Sequence, residues 1–399
     1  MLYRKLTTTL QRLAKTFPVI AITGPRQSGK TTLAKAVFGD KPYLTLEDPA
    51  ERAFALEDAK GFLGRFREGA IFDEAQRWPD LFSYLQGMVD EEPIPGKFIL
   101  TGSQQFGLLA GVCQSLAGRV GMTALLPLSL SELPAAAQSS LSLDTLIMQG
   151  CYPALHVSEI LPTDWFASYI ATYIERDIRQ VLRVQDLQVF QRFVRLCAGR
   201  NGQLLNLDAL AGETGISHST ARSWLSVLES SYIIHLLPPY YRNFGKRLVK
   251  TPKLYFLDQG LACWLLGIRS SDLFAIHPMR GAIFESFIIS EFLKSRYNRG
   301  LPADLYFWRD NNGLETDIVF ERGTKLQPVE IKSGQTITSD SIRAGLKAAR
   351  FAKEEALQPW LIYGGDDSYE RGGVNVMSWR DSTRWSEIEH LYPDFPEEI

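Results

Sequence analysis

The chain has 399 residues, 43 Lys and Arg against 45 Asp and Glu, a net charge of -2, and a composition that is 45% hydrophobic and 22% charged. That length exceeds what one hydrophobic core ordinarily supports, and the composition is that of a soluble globular protein of two or three domains. The near-neutral balance excludes wholesale attraction to nucleic acid or to an anionic membrane, so any such contact has to rest on a local patch.

Met1 to Leu13 mixes Arg4, Lys5 and Arg12 into an amphipathic pattern that is no signal peptide, and no uncharged apolar run approaches a membrane span. Cys113, Cys151, Cys197 and Cys263 lie far apart, which fits reduced thiols and neither a disulfide framework nor a zinc site. A cytoplasmic protein without a membrane partner is expected.

In chain order, Leu2 to Lys15 reads as an amphipathic helix, and Phe17 to Thr23 as a buried strand. The strand runs into Gly24, Pro25, Arg26, Gln27, Ser28, Gly29, Lys30, Thr31 and Thr32, a complete phosphate-binding loop opening a helix. The glycines let consecutive backbone N–H groups turn around the phosphates of ATP or ADP. Lys30 neutralises the β/γ-phosphate charge, and the Thr31 hydroxyl is placed to ligate Mg²⁺. The helix adds its positive N-terminal end.

Further strands are expected at Tyr43 to Leu46, Ile71 to Asp73, Phe98 to Thr101 and Met122 to Leu125, with helices at Pro49 to Glu68 and Pro79 to Glu91. The strand at Ile71 ends in two acids. Asp73 is read as the Mg²⁺-holding carboxylate and Glu74 as the group that polarises the attacking water. The strand at Phe98 ends in hydroxyls, and Thr101 or Ser103 is a candidate γ-phosphate sensor. Catalytic groups gathered at the carboxyl ends of a parallel sheet describe a nucleotide hydrolase.

The Ala/Ser-rich stretch Pro134 to Thr145 looks like a loop or linker, and Trp165 to Leu196 turns helical. Leu207 to Ser217 gives a short helix and a Gly-containing turn, with Ser217 capping a second helix from His218 to Ser230. The segment Tyr240 to Phe256 follows like a wing. It joins five aromatics to Arg242, Lys246, Arg247, Lys250 and Lys253 without an acid, a mixture suited to phosphates and to stacking on bases. Arg222 is the one base on the second helix. A fold of this kind used only for protein packing is the alternative.

Towards the C-terminus, Leu305 to Trp308, Glu315 to Phe320 and Pro328 to Lys332 read as consecutive strands. Asp317 and Glu330 then fall at comparable points on neighbouring strands, Lys332 shares a face with Glu330, and Glu285 projects from the helix Gly281 to Arg296. Three carboxylates with a lysine suit a Mg²⁺ site for hydrolysis. Salt-bridged residues of a structural sheet would produce the same letters.

This ordered series resembles the AAA_14/DUF4143 family of bacterial and archaeal ATPases over nearly the whole chain. The resemblance rests on the loop Gly24 to Thr32, Phe72 to Gln76, Leu100 to Ser103, Leu116 to Arg119, Pro127 to Ser129, Tyr173 to Asp177, Lys250 to Leu261, Tyr306 to Asp310, Glu315 to Asp317 and Glu330 to Lys332. It implies an α/β chain with an AAA-type P-loop NTPase domain over 1–133, a linker over 134–164, a helical and winged-helix domain over 165–275, and a restriction-endonuclease-like PD-(D/E)xK domain over 276–399. The leading Pro-Asp of that last motif is here Thr316-Asp317, a departure that weakens the nuclease expectation. Arg119 matches the arginine that AAA-type ATPases reach into a neighbouring subunit's nucleotide, with Arg176 as the rival; either implies a homo-oligomer. The expected activity is an ATPase coupled to DNA without sequence specificity. The alternative is a nucleotide-sensing switch that engages a protein partner. A kinase using the same loop has no obvious acceptor pocket.

Overall fold

The computed structural model describes residues 2–103, 115–135, 137, 141–173, 187–241, 250–310, 312–381 and 384–389. Strands β1 (Val19–Thr23), β2 (Tyr43–Thr45), β3 (Ala70–Asp73), β4 (Phe98–Thr101) and β5 (Val120–Ala124) form a parallel sheet in the order β2-β3-β4-β1-β5. Every residue of β1 is buried, as a parallel strand covered on both faces must be. Its side chains alternate between two cores. Val19 and Ala21 join Phe72, Leu100 and Phe62 on one side, while Ile20 and Ile22 join Leu6, Leu10 and Leu33 on the other.

The second side is covered by helices α1 (Leu6–Ala14) and α2 (Lys30–Val37), the first by α3 (Pro49–Glu57), α4 (Ala59–Gly64) and α5 (Leu81–Glu91). The single helix expected over Pro49 to Glu68 is thus two. Asp58 breaks it, with non-helical backbone (φ −138°, ψ 78°) and a side chain that accepts from Gly61 N at 2.8 Å, capping α4.

The expected linker is also corrected. Helices α6 (Leu143–Gln149) and α7 (Ala154–Val157) lie in it, α6 capped by the Ser142 hydroxyl. Leu143, Leu146 and Ile147 are buried with Ile283, Phe284 and Phe287. The Ala/Ser-rich composition upstream concealed a short helix whose apolar face is only three residues.

Helices α8 (Pro162–Tyr173) and α9 (Leu187–Ala198) account for the expected helical stretch, with 174–186, and so Arg176, outside the described residues. β6 (Gln203–Leu204), α10 (Leu207–Thr214), α11 (His218–Ser230), β7 (Ile234–Leu237) and β8 (Lys253–Phe256) follow, the strands forming an antiparallel sheet in the order β6-β8-β7. Asn206 and Ser217 cap α10 and α11, and Gly215 takes the left-handed turn between them at φ +80°. The helix–turn–helix reading corresponds to these elements.

Helices α12 (Gln259–Leu265), α13 (Ser271–Ile276) and α14 (Arg280–Asn298) lead into the last sheet. It holds β9 (Tyr306–Arg309), β10 (Glu315–Arg322), β11 (Lys325–Lys332), β12 (Trp360–Tyr363), β13 (Tyr369–Arg371) and β14 (Val374–Ser378) in the order β13-β14-β12-β11-β10-β9, with α15 (Ser339–Ala349) and α16 (Trp385–Glu389) beside it. α14 is buried along most of its length. Its Phe284, Phe287, Ile288 and Phe292 share one cluster with Leu126, Leu128 and Leu130 beyond β5, Leu257 after β8, and Ile318 and Val329 of the last sheet. One core therefore spans all three modules. Among the described residues no helix is long and apolar enough to cross a membrane.

Leu146 is 1% exposed in that shared core, so Leu146→Ala is expected to cost about 3 kcal/mol of unfolding free energy in equilibrium denaturation. A loss below about 0.5 kcal/mol would return the segment to the status of a linker.

Candidate active site

The loop after β1 is shaped by two glycines, one short of space for a side chain and both at a positive φ that a side chain would strain. At Gly24 φ is +144°, and a Cβ there would stand 2.2 Å from the Leu125 carbonyl oxygen. At Gly29 φ is +95°, and the residue begins α2. The Lys30 ammonium curls over the turn and donates to the carbonyls of Gly24 at 2.9 Å and Pro25 at 2.7 Å.

Because β4 is inserted between β1 and β3, the ends of three strands meet opposite this loop. Asp73, 8% exposed, accepts from Thr31 Oγ1 at 3.0 Å, from Tyr43 Oη at 2.9 Å, and from Thr101 Oγ1. Burial, reinforced by the bond to Asp73, pushes the Tyr43 phenol up to about 12. Glu74 stands next along the chain with φ +55°, a left-handed conformation uncommon for a residue with a side chain. That turn swings its carboxylate out of the strand direction, where Gln76 Nε2 at 2.5 Å and Ser103 Oγ at 3.2 Å both donate to Oε2. The two hydroxyls left open by the sequence thus divide the work: Thr101 meets Asp73 and Ser103 meets Glu74.

Arg26, Gln27, Gly29, Lys30, Thr31, Thr32, Asp73 and Glu74 line one cleft of about 950 Å³, together with Glu47. Its remaining wall comes from the middle module, as Pro153, Tyr169 and Thr172. Sequence reasoning missed these three. Tyr169 lies between Trp165 and Tyr173 on α8, with ring centroids 4.9 and 6.3 Å away and near-parallel planes, and receives a 2.9 Å bond from Tyr152 Oη. The aromatic repeat at every fourth residue was the available signal, and it reads equally as core.

Arg119 lies at the opposite end of the sheet, where its carbonyl accepts from Val19 N at 3.2 Å. Its guanidinium forks onto Asp90, with Nη2 2.9 Å from Oδ2, and this pairing holds the Asp90 carboxyl below its ordinary range. It does not line the cleft.

The residues read as nucleic-acid contacts separate. Arg222 and Lys250 are exposed, and Lys246 and Arg247 lie outside the described residues. Lys253 is a correction. It is 3% exposed on β8, with Nζ 3.1 Å from Glu285 Oε1 and against Glu315, so its charge is spent inside the protein. Its basic neighbours in sequence concealed that β8 is an interior strand.

The C-terminal carboxylates converge as the spacing suggests, two of the three paired with lysines. Asp317 and Glu330 lie next to the Ile318–Val329 pair of β10 and β11; Asp317 accepts from Ile331 N at 2.8 Å, and Glu330 pairs with Lys332 at 2.5 Å. Glu285 on α14 accepts from Lys253 and from Tyr255 Oη. Burial, together with the Asp317 charge, raises the Glu330 carboxyl to about 8. Among the described residues no three carboxylate, histidine or cysteine groups stand as a metal-ligand set. Lys253 and Lys332 stand against two of the three carboxylates expected to hold a metal, Glu285 and Glu330, while Asp317 is held by a backbone N–H.

Family models match in three blocks: an AAA domain (AAA_14) over 16–134, a domain of unknown function (DUF8612) over 140–272, and a domain of unknown function (DUF4143) over 280–381. The chain is 32% identical over 355 residues to the uncharacterized protein Rv2008c of Mycobacterium tuberculosis, covering 88% of this chain and 78% of the relative. The uncharacterized protein Mb2031c of Mycobacterium bovis matches with the same values, 32% identity, 88% and 78%. Among solved structures, the Walker-type ATPase PABY2304 of Pyrococcus abyssi is similar at 18% identity and a TM-score of 0.45, covering 65% of this chain and 94% of that one.

Lys253→Met leaves Glu285 buried without its cation and is expected to cost about 3 kcal/mol, read by denaturant unfolding. Adding Glu285→Gln removes the orphaned charge and should recover most of the loss. A single variant as stable as the wild type would contradict the buried-pair role.

Proposed function

This chain belongs to the AAA_14/DUF4143 family of P-loop ATPases, and we propose that it is a Mg²⁺-dependent ATP hydrolase whose nucleotide sits between its N-terminal and middle modules. The observation that carries this is the meeting of Lys30, Thr31, Asp73 and Glu74 from separate strand ends in one cleft. Lys30 exchanges its two carbonyl partners for the β- and γ-phosphates, a stronger pairing because the acceptors are charged. A hydroxyl and a carboxylate 3.0 Å apart, Thr31 and Asp73, form the hard oxygen edge that Mg²⁺ takes alongside phosphate and water. Bound there, the ion would supply charge stabilisation to the transferring phosphoryl group.

Glu74 orients the attacking water. Ser103 and Gln76 fix its carboxylate, and its left-handed backbone aims it into the cleft. Thr101 holds Asp73 to the Thr31 side. A second copy presenting Arg119 at the γ-phosphate would complete the site in an oligomer, because a cation from outside adds most as charge redistributes in the transition state.

Movement of α8 against the loop would carry the nucleotide state to the helix–turn–helix and its sheet, which we read as a winged helix, and to a C-terminal module of endonuclease-like fold. DNA is the client favoured by exposed Arg222 and Lys250. A second reading, a switch for a protein partner with a non-cleaving C-terminal module, is favoured by Lys253 and Lys332, which already neutralise Glu285 and Glu330.

Lys30→Ala should abolish nucleotide binding, whereas Glu74→Gln should keep the affinity and lower turnover by at least about a hundredfold. Equal loss of binding in calorimetry would contradict the separate roles. ATP turnover measured with duplex, forked and single-stranded DNA should rise with at least one of them. No stimulation, and no cleavage with Mg²⁺ or Mn²⁺, would favour the protein-partner switch.

A further inference from the structure

Arg4 is an N-terminal residue outside every motif, yet it is 6% exposed and its guanidinium is used on three sides. Nη1 donates to the Ser28 carbonyl at 2.6 Å, Nη2 to the Leu126 carbonyl at 2.6 Å, and Nε to Glu132 Oε1 at 3.2 Å. Glu132 is itself fully enclosed, accepting from Lys5 N at 2.7 Å and Ser129 N at 2.8 Å. An enclosed ion pair loses much of its Coulombic gain to desolvation, so stability alone is a poor reason for one.

The geometry of the peptide bond supplies another reason. In a trans peptide the C=O of one residue and the N–H of the next point in opposite directions, and no cis bond occurs among the described residues. Holding the Ser28 carbonyl from behind therefore turns the Gly29 N–H to the other side, where Gly29 lines the cleft. The Ser28 hydroxyl is buried without a hydrogen-bond partner, so the residue is held through its backbone, the N–H on the Pro25 carbonyl at 3.4 Å and the carbonyl on Arg4. A cation on the carbonyl also polarises the same peptide group and makes its N–H a better donor to phosphate.

We propose that Arg4 is a positioning residue of the nucleotide site, which sets the Ser28–Gly29 peptide so that the Gly29 N–H meets the phosphates of a bound nucleoside di- or triphosphate. Glu132 sets Arg4. The segment carrying Glu132 is in turn held from α14, where Glu291 accepts from Leu130 N at 2.8 Å and Lys294 donates to the Leu128 carbonyl at 3.0 Å, the two being paired at 2.7 Å and 1% exposed. The loop's set thus depends on a helix of the C-terminal module, some 260 residues away in sequence.

The inference rests on the nucleotide-binding reading, and the test separates the two. In the full-length protein, Arg4→Gln should raise the Kd for ADP and the KM for ATP about ten- to hundredfold, the loss of one charge-assisted bond. Effects on kcat should be smaller. Arg4→Lys supplies a point charge where a fork is needed and should fall between variant and wild type. Because the single variants leave Glu132 uncompensated, Arg4→Met with Glu132→Gln provides a form without buried charge, and it too should bind weakly while folded by circular dichroism. Wild-type affinity in folded Arg4→Gln or in the double variant would overturn the inference, since a purely structural arginine would change only the melting temperature. A wild-type protein that binds neither ADP nor ATP would overturn the nucleotide reading beneath it, and this inference with it.

Discussion

A carboxylate buried at the end of a parallel strand needs donors, and Asp73 draws its donors from three different elements. Thr31 comes from the helix after the phosphate-binding loop, Tyr43 from the neighbouring strand β2, and Thr101 from β4 on the other side. Leaving such a group unsatisfied would cost several kcal/mol. The strand order β2-β3-β4-β1-β5 is what lets these three elements reach it at once. That order also leaves Glu74, the next residue, at the mouth of the cleft, where Ser103 fixes it. The placing of Glu74 is thus a by-product of satisfying one buried acid.

The same rule of satisfaction ties the modules together. Thr23, the last residue of β1, shares a 2.7 Å hydrogen bond with Tyr232 of the middle module. Tyr232 takes φ +58° to make it, and burial raises its phenol pKa. Tyr169 closes the cleft from α8, and Arg4 links the loop to a segment clasped by Glu291 and Lys294 of α14. Tyr232, the Leu126–Leu130 segment and α14 also belong to the shared core, whereas α8 packs in the middle module's own cluster. The polar partners of the loop and of its strand thus lie in the other two modules as well as in its own.

Much of the N-terminal module was legible because its signals are local. Apolar strands followed at once by glycines, acids or hydroxyls mark strand ends, and Gly24, Lys30, Asp73, Glu74, Thr101 and Ser103 all converge where the strand ends predict. The fate of a charge was not legible, because it depends on contacts distant in sequence. Lys253 belongs to a basic, aromatic run and reads as surface, yet β8 is buried at every residue and carries its ammonium to Glu285 and Glu315. Arg4 reads as one more base in an amphipathic helix, and its partners lie at Ser28, Leu126 and Glu132. The helix Leu143–Gln149 was hidden for a different reason: too few apolar residues to show a period.

The cleft between Lys30, Asp73, Glu74 and Tyr169 is proposed to hold a magnesium-bound nucleoside triphosphate. A crystal structure of the full chain with Mg²⁺ and a non-hydrolysable ATP analogue tests it most directly. Phosphates should lie against the Gly29 to Thr31 backbone, the ion between Thr31 and Asp73, and the γ-phosphate opposite Glu74. An analogue bound elsewhere on the chain, or bound here with its phosphates turned away from Lys30, would contradict it.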